Sequence, residues 1–170
     1  DGAQLIRRIA GALTKRGSPT SDMAILVNLY PADIPKKGAS LDLPVIVTVM
    51  QSVGLLPDLP DHKQGEFVLF GEIDIHGLVC RCGGALSMAM TAKPGQKLIV
   101  PSGSEKESAL ILARTGYEGC EVAPVSSLGE VIAFFEGDAE LENARRNGIQ
   151  YVDPSPDVTD FRLVKGNEHV

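Results

Sequence analysis

The sequence predicts a mixed α/β (α+β) domain, a sheet with crossover helices and one β-hairpin. Three observations carry that expectation. Short β-rich apolar runs alternate with helix-patterned runs from Met23 to Phe135, the pattern of strands joined by crossovers. Breaker clusters, Gly17-Ser18-Pro19 and Lys93-Pro94-Gly95, punctuate the runs. One pair of runs is separated only by His76-Gly77, the spacing of a hairpin.

Taken in order, Gln4–Lys15 places Leu5, Ile9, Ala12 and Leu13 at helical spacing, with Arg7, Arg8, Lys15 and Arg16 on the other face. Met23–Leu29 ("MAILVNL") reads as a short buried strand. A loop runs to Ser40. Asp42 is the expected N-cap of a helix over Val45–Gly54, with Pro44 tolerated in its first turn. Pro57, Pro60 and Gly65 mark Leu55–Gly65 as loop. Glu66–Ile75 is expected as one strand, His76-Gly77 as the turn, and Leu78–Cys82 as the returning strand. Gly83-Gly84 opens a helix to Ala92. Then follow a strand at Lys97–Val100, a helix at Glu105–Thr115, a strand at Cys120–Ala123 and a helix at Ser127–Phe135. After Gly137 the composition turns polar. Asp138–Arg146 has the pattern of a short helix, and "DPSPDVTDF" at 153–161 adds prolines and aspartates. Residues 137–170 are therefore expected to be a linker after a domain at 1–136. The chain begins at Asp1 and its helical pattern starts almost at once, the look of part of a longer polypeptide.

Composition narrows the function classes. The 170 residues are 44% hydrophobic and 22% charged, ordinary soluble proportions. A formal net charge of −6 repels phosphate backbones, and 5% aromatic content without Trp offers no stacking platform for single strands. No apolar run has membrane-spanning length and no signal peptide is present. Three cysteines without framework spacing fit a reducing cytoplasm.

Few residues carry chemistry. His62, His76 and His169 share no ligand spacing. Cys80 and Cys82 alternate along a strand and read as buried small hydrophobes rather than a soft-metal pair, since no second pair accompanies them. No phosphate loop of the G-x-x-x-x-G-K-[ST] type occurs. Gly83-Gly84 at a helix start has the form of an anion seat, but without a basic cluster it reads as a tight turn. Ser40, in "PADIPKKGASLDLP", is either a nucleophile on a glycine turn or the polar lip of a helix. A serine needs a base. No Ser-His-Asp set is visible, and Lys36 and Lys37 are expected in a polar turn, too close to be desolvated as a base must be. Residue chemistry alone therefore favours the lip.

"VNLYPADIPKKGASLDLPV" at 27–45, "FGEIDIHGLVCRCGGAL" at 70–86 and "KLIVPSGSEKESALI" at 97–111 resemble the Lon-protease-like domain of magnesium-chelatase-related AAA+ ATPases of the competence protein ComM (YifB) type. "GEVIAFFEG" at 129–137 is similar to the family's domain-closing helix, and "VTDFRLVKGNEHV" at 158–170 to the start of its AAA+ module. The resemblance implies the fold shared by Lon proteolytic domains, GHMP kinases and domain 2 of a small-subunit ribosomal protein, here without its first strands. It also implies a hexameric motor in the whole protein, associated with DNA processing during competence. ATP and Mg2+ would bind in an AAA+ module outside these residues; the partners would be that module, neighbouring subunits and DNA. Lon peptidases carry P-K-D-G-P-S-A-G, so "PKKGASLD" at 35–42 sets Ser40 on the nucleophile position. Their general-base lysine follows a Gly-Gly pair, and Leu86 stands in its place here, while Asp42 replaces a small residue after the nucleophile. The resemblance thus implies a non-peptidolytic accessory domain. The alternatives are a serine peptidase with a relocated lysine, such as Lys93, and a GHMP-like small-ligand site.

Overall fold

A computed structural model describes residues 7, 9, 11, 25–27, 40–59, 65–113 and 115–144. In chain order the elements are α1 (Asp42–Ser52), β1 (Phe67–Leu69), β2 (Glu72–Ile73), β3 (Val79–Cys80), α2 (Ala85–Ala89), β4 (Lys97–Pro101), α3 (Glu105–Leu112), β5 (Glu121–Val125) and α4 (Leu128–Glu136). Strands β1, β4 and β5 form a parallel sheet in the order β1-β4-β5, and β2 and β3 form a separate antiparallel pair. The fold is mixed α/β, as the alternation predicts.

Alternating side chains of the sheet feed two cores. Leu98, Val100 and Val122 pack with Ala89 of α2 and with Ala109 and Leu112 of α3. Ile99 and Val125 pack on the opposite cluster, with α1, α4 and the hairpin residues Ile73 and Val79. Each fully buried aliphatic side chain contributes about 1.5–3 kcal/mol, so the central strand β4, buried from Leu98 to Pro101, anchors both layers. Phe67, Phe134 and Phe135 stack edge-to-face at 5.4–5.7 Å in the core of Ile99 and Val125, with Lys97 Nζ 5.4 Å from the Phe134 ring centre.

Helix α4 matches its expected bounds to a residue. Its start is capped by Ser127: the hydroxyl accepts from the Glu130 N–H at 3.3 Å and donates to the Glu130 carboxylate at 3.0 Å, and that carboxylate also accepts from the Ser126 N–H at 3.1 Å. Elsewhere the boundaries move, for identifiable reasons. The strand expected over Glu66–Ile75 is broken into β1 and β2. The register sets residues 66, 68 and 70 against β4, with Lys97 N–H donating to Glu66 C=O and Phe70 N–H to Ile99 C=O. The next bond of that ladder needs an N–H from Pro101, which has none, so the pairing stops and Gly71 turns the chain away. The returning strand is Val79–Cys80 rather than Leu78–Cys82, α2 ends at Ala89 rather than Ala92, α3 ends at Leu112 rather than Thr115, and β5 is Glu121–Val125 rather than Cys120–Ala123.

Asp42 is not an N-cap. Leu41 occupies that position without a side-chain bond, and α1 runs from Asp42 to Ser52 instead of Val45–Gly54. A side-chain cap is unnecessary because the Leu43 N–H, one of the helix's unpaired donors, is taken by the Gly71 carbonyl at 3.0 Å. Residues 139–143 form no helix: Gly137 closes α4 at φ +83°, and the Asp138 and Ala139 N–H groups both return to the Ala133 carbonyl. Of the strand expected at Met23–Leu29, only 25–27 is described; these residues lie outside both sheets, and Leu26 is 94% exposed. Arg7, Ile9 and Gly11 are helical, with Ile9 buried in the core of Ile99 and Val125. The expectations for Lys36, Lys37, His62, His169, the rest of Gln4–Lys15 and residues 145–170 lie outside the described residues.

Gly71 is the position least open to substitution. A Cβ there would lie 2.9 Å from Val79 Cγ1 and 3.2 Å from Pro101 Cγ, at φ +153°. Gly71→Ala is expected to lower the unfolding free energy by about 2–4 kcal/mol in chemical denaturation. An equivalent change at Gly54, where a Cβ meets nothing within 4 Å and only the φ of +72° strains it, is expected to cost about half as much.

Candidate functional site

Ser40 sits where open α/β sheets seat ligands, just outside the carboxyl ends of the parallel strands. Its carbonyl accepts the Gly71 N–H at 2.9 Å, so Ser40–Leu43 and Gly71 exchange two backbone bonds. The side chain of Asp42, 5% exposed, extends this seam: Oδ2 accepts from the Ile73 N–H at 3.3 Å. The carboxylate is therefore committed to the backbone of β2. Residues 40–43 and 70–73 form one stitched unit, and side chains near it are positioned by that stitching.

The crevice outside the strand ends is occupied by the hairpin. Val79 N–H donates to the Ser126 carbonyl at 2.9 Å, Leu128 N–H donates to the Gly77 carbonyl at 2.9 Å, and Leu78 bridges to Ser127. Val79 also touches the place a Cβ of Gly71 would fill. The hairpin tip is rigid. Asp74 Oδ1 accepts from the N–H groups of His76 and Leu78, both at 2.8 Å, and these bonds, Leu78 foremost, hold the Asp74 carboxyl below its usual range. Ile75 (74% exposed), His76 and Leu78 project from it.

Among the described residues no activating base meets Ser40. Among the described residues no side chain hydrogen-bonds its hydroxyl. Leu86 stands on α2 with 41% exposure, following Gly84, whose backbone is backed by the Phe70 ring 3.7 Å from a would-be Cβ. Lys93 is at the wrong end of the sheet. Its carbonyl takes the Cys120 thiol at 3.0 Å, and the neighbouring Gly95 N–H donates to Glu118, all at the amino ends of β4 and β5. From Lys97 to Pro101 the strand spans about 13 Å, further than a lysine side chain reaches back. Lys97 is paired with Glu121 at 3.1 Å at that same amino end.

The other sequence candidates separate in the same way. Cys80 and Cys82 are half-buried rather than buried, and only Cys80 lies in a strand. Partial burial, then the negative charges of Glu72 and Asp42, push the Cys82 thiol up, against a backbone bond from Glu72 that pulls it down. A thiol pushed that way is a poor nucleophile. Among the described residues, no three His, Cys, Asp or Glu side chains converge as a metal site. An open apolar groove of about 650 Å³ lies beside Ser40, lined by Leu26, Leu41, Pro44, Val45, Thr48 and Val49 among others; this lining offers packing without a titratable group. The residues that sequence reasoning underrates are Gly71 and Pro101. The signal for the first is a glycine inside a β-rich run, which marks a bend or a close backbone approach.

Comparison with known proteins adds the family. The model described as the ChlI subunit of magnesium chelatase matches residues 4–104, more than half of the chain. The chain belongs to the ChlI family. It is 34% identical over 139 residues to YifB of Escherichia coli K12 and 32% identical over 163 residues to YifB of Salmonella typhimurium, alignments that take in 81% and 95% of this chain. It is 28% identical over 135 residues, 79% of the chain, to the competence protein ComM of Haemophilus influenzae. The chain spans only 26%, 30% and 25% of those relatives' lengths. Within this ChlI-family chain the matched region holds Ser40, Asp42, Gly71 and Leu86 and stops just before α3, leaving β5 and α4 outside it. No helix of the described residues is long and apolar enough to cross a membrane.

Two consequences of this geometry are measurable. Asp42→Ala leaves the Ile73 N–H without its acceptor and is expected to destabilise the chain by about 1–3 kcal/mol, with Asp42→Asn milder because an acceptor oxygen remains. For Asp74, a carboxyl depressed in the folded state stabilises above its unfolded pKa and loses that contribution as pH falls through the folded value. The stability gap between wild type and Asp74→Ala is therefore expected to be constant near neutrality and to close as pH drops below the ordinary aspartate range, as read by thermal melts across pH.

Proposed function

We propose that this chain is a non-catalytic, Lon-like accessory domain of a ComM-type AAA+ ATPase, contributing assembly or substrate contacts beside the motor. One observation carries the reading: Ser40 holds its place through its carbonyl, which accepts the Gly71 N–H, while nothing among the described residues activates its hydroxyl. Losing the activating base of a serine nucleophile costs orders of magnitude in rate. Leu86, on the lysine position by resemblance, supplies no proton acceptor. Asp42 adds a buried carboxylate two residues after the serine, a charge of the wrong sign for the negative charge an acyl-transfer intermediate develops. The peptidase alternative needs a relocated lysine; for Lys93, the length of β4 separates it from Ser40.

In the whole protein this reading puts ATP and Mg2+ in the AAA+ module. The residues here do not fit a nucleotide: no phosphate loop is present, and the Gly83-Gly84 turn rests on the Phe70 ring rather than beside a basic cluster. The motor would be hexameric and act on DNA, and contact with nucleic acid falls to parts other than this acidic chain.

The peptidase question is settled by mass spectrometry after treating the folded chain with a serine-reactive phosphonate. No adduct at Ser40 is expected; stoichiometric labelling would restore the peptidase reading. The accessory role is tested in the full-length protein by deleting residues 1–136. Ring assembly or DNA-stimulated ATP turnover is expected to fall, and survival of both properties at wild-type levels would sink the proposal.

A further inference from the structure

The two edges of the parallel sheet are treated differently. On the β1 side, Gly71 directs both its N–H and its C=O outward and spends them on Ser40 and Leu43. On the β5 side, the register with β4 sets Glu121, Ala123 and Val125 inward, with Glu121 N–H donating to Gln96 C=O and Ser102 N–H to Val125 C=O. That leaves Val122 and Pro124 facing out. Proline has no N–H, so the outer edge of β5 carries a single donor, the Val122 amide. That amide is taken by a side chain: Asn143 Oδ1 lies 3.4 Å away.

Asn143 belongs to a segment that wraps this edge. It leaves α4 through the left-handed Gly137, with Asp138 and Ala139 bonded back to Ala133. Leu141 then packs on the core cluster on one face of the sheet, Asn143 meets the strand edge, and Ala144 packs on the cluster of the other face. A linker has no reason to touch both cores. A strap does.

We propose that residues 138–144 are a strap closing the β5 edge, and that with Pro124 it prevents a second copy of this chain from pairing strand to strand there. An open edge of a five-residue strand is self-complementary: two copies related by a two-fold axis present the same donors and acceptors in antiparallel order. Pro124 removes one donor from that surface and Asn143 occupies the other. The apolar anchors are small, one leucine and one alanine, and the bond to Val122 is long, so the strap holds by several weak contacts together.

Amide exchange and light scattering on the full chain test this. In the wild type the Val122 amide is expected to exchange at least about tenfold more slowly than an unstructured peptide, and Asn143→Ala is expected to remove that protection while the β4 amides of Leu98 and Ile99 keep theirs. The double variant Asn143→Ala/Pro124→Val restores two outward donors and is expected to form dimers whose fraction rises with concentration, where the wild type stays monomeric. A Val122 amide that exchanges freely in the wild type overturns the proposal, and so does one whose protection survives Asn143→Ala. A folded double variant that remains monomeric at all concentrations overturns the pairing role. The two exchange measurements decide the strap even if the double variant does not fold.

Discussion

Gly71 gives one backbone bond to Ser40 and takes another from Leu43, and this exchange governs where everything near the candidate site lies. It sets the first turn of α1 against the end of β1, and so brings Asp42 within reach of Ile73. It also turns the chain out of the parallel sheet into the hairpin, and Val79 of strand β3 and Pro101 then both close on Gly71. Only a glycine leaves room for that overlap. Remove the exchange and α1 loses the acceptor of its Leu43 N–H, β2 loses its tether, and the cover over the strand ends has nothing to lie on.

Prolines then decide how far the sheet extends. Pro101 faces β1, where its missing N–H ends the ladder at Phe70; Pro124 faces outward from β5, where its missing N–H blunts an edge. The same chemical deficit breaks one strand and protects another, depending only on which neighbour the residue faces. Parity along the strand is the deciding quantity, and a proline two residues further along either strand would meet the same partner.

This explains which features were legible in the sequence. Alternation of apolar runs marks the existence and order of β1, β4, α3, β5 and α4, because burial on a sheet or helix face leaves a periodic signature. The start of α4 rests on a local pair as well, Ser127 and Glu130 three residues apart. The seam at Gly71 was not legible, because it joins residues about thirty positions apart and its donors are backbone groups that any sequence possesses. Asp42 looked like a cap for the same reason: the competing acceptor, the Gly71 carbonyl, has no sequence signature. The strap at 138–144 looked like a charged helix and linker, as its anchors are single residues, Leu141, Asn143 and Ala144, without periodicity.

The site itself shows how a nucleophile's position and its chemistry come apart. What keeps Ser40 in place is its carbonyl, a group every residue carries, and the neighbouring Asp42 and Leu43 contribute structural bonds of their own. The turn is thus required by the packing of α1 on the hairpin whether or not the hydroxyl does anything. Activation demands more: a base within hydrogen-bond reach and a path for negative charge to be stabilised. Here the residue at the lysine position is leucine, the lysine proposed as substitute is held at the other end of β4, and the buried charge closest in sequence is a carboxylate. Because Ser40 meets Gly71 through its carbonyl and no described side chain bonds its hydroxyl, its replacement by alanine should leave the fold untouched, while Gly71, which has no side chain at all, does not tolerate even a methyl group.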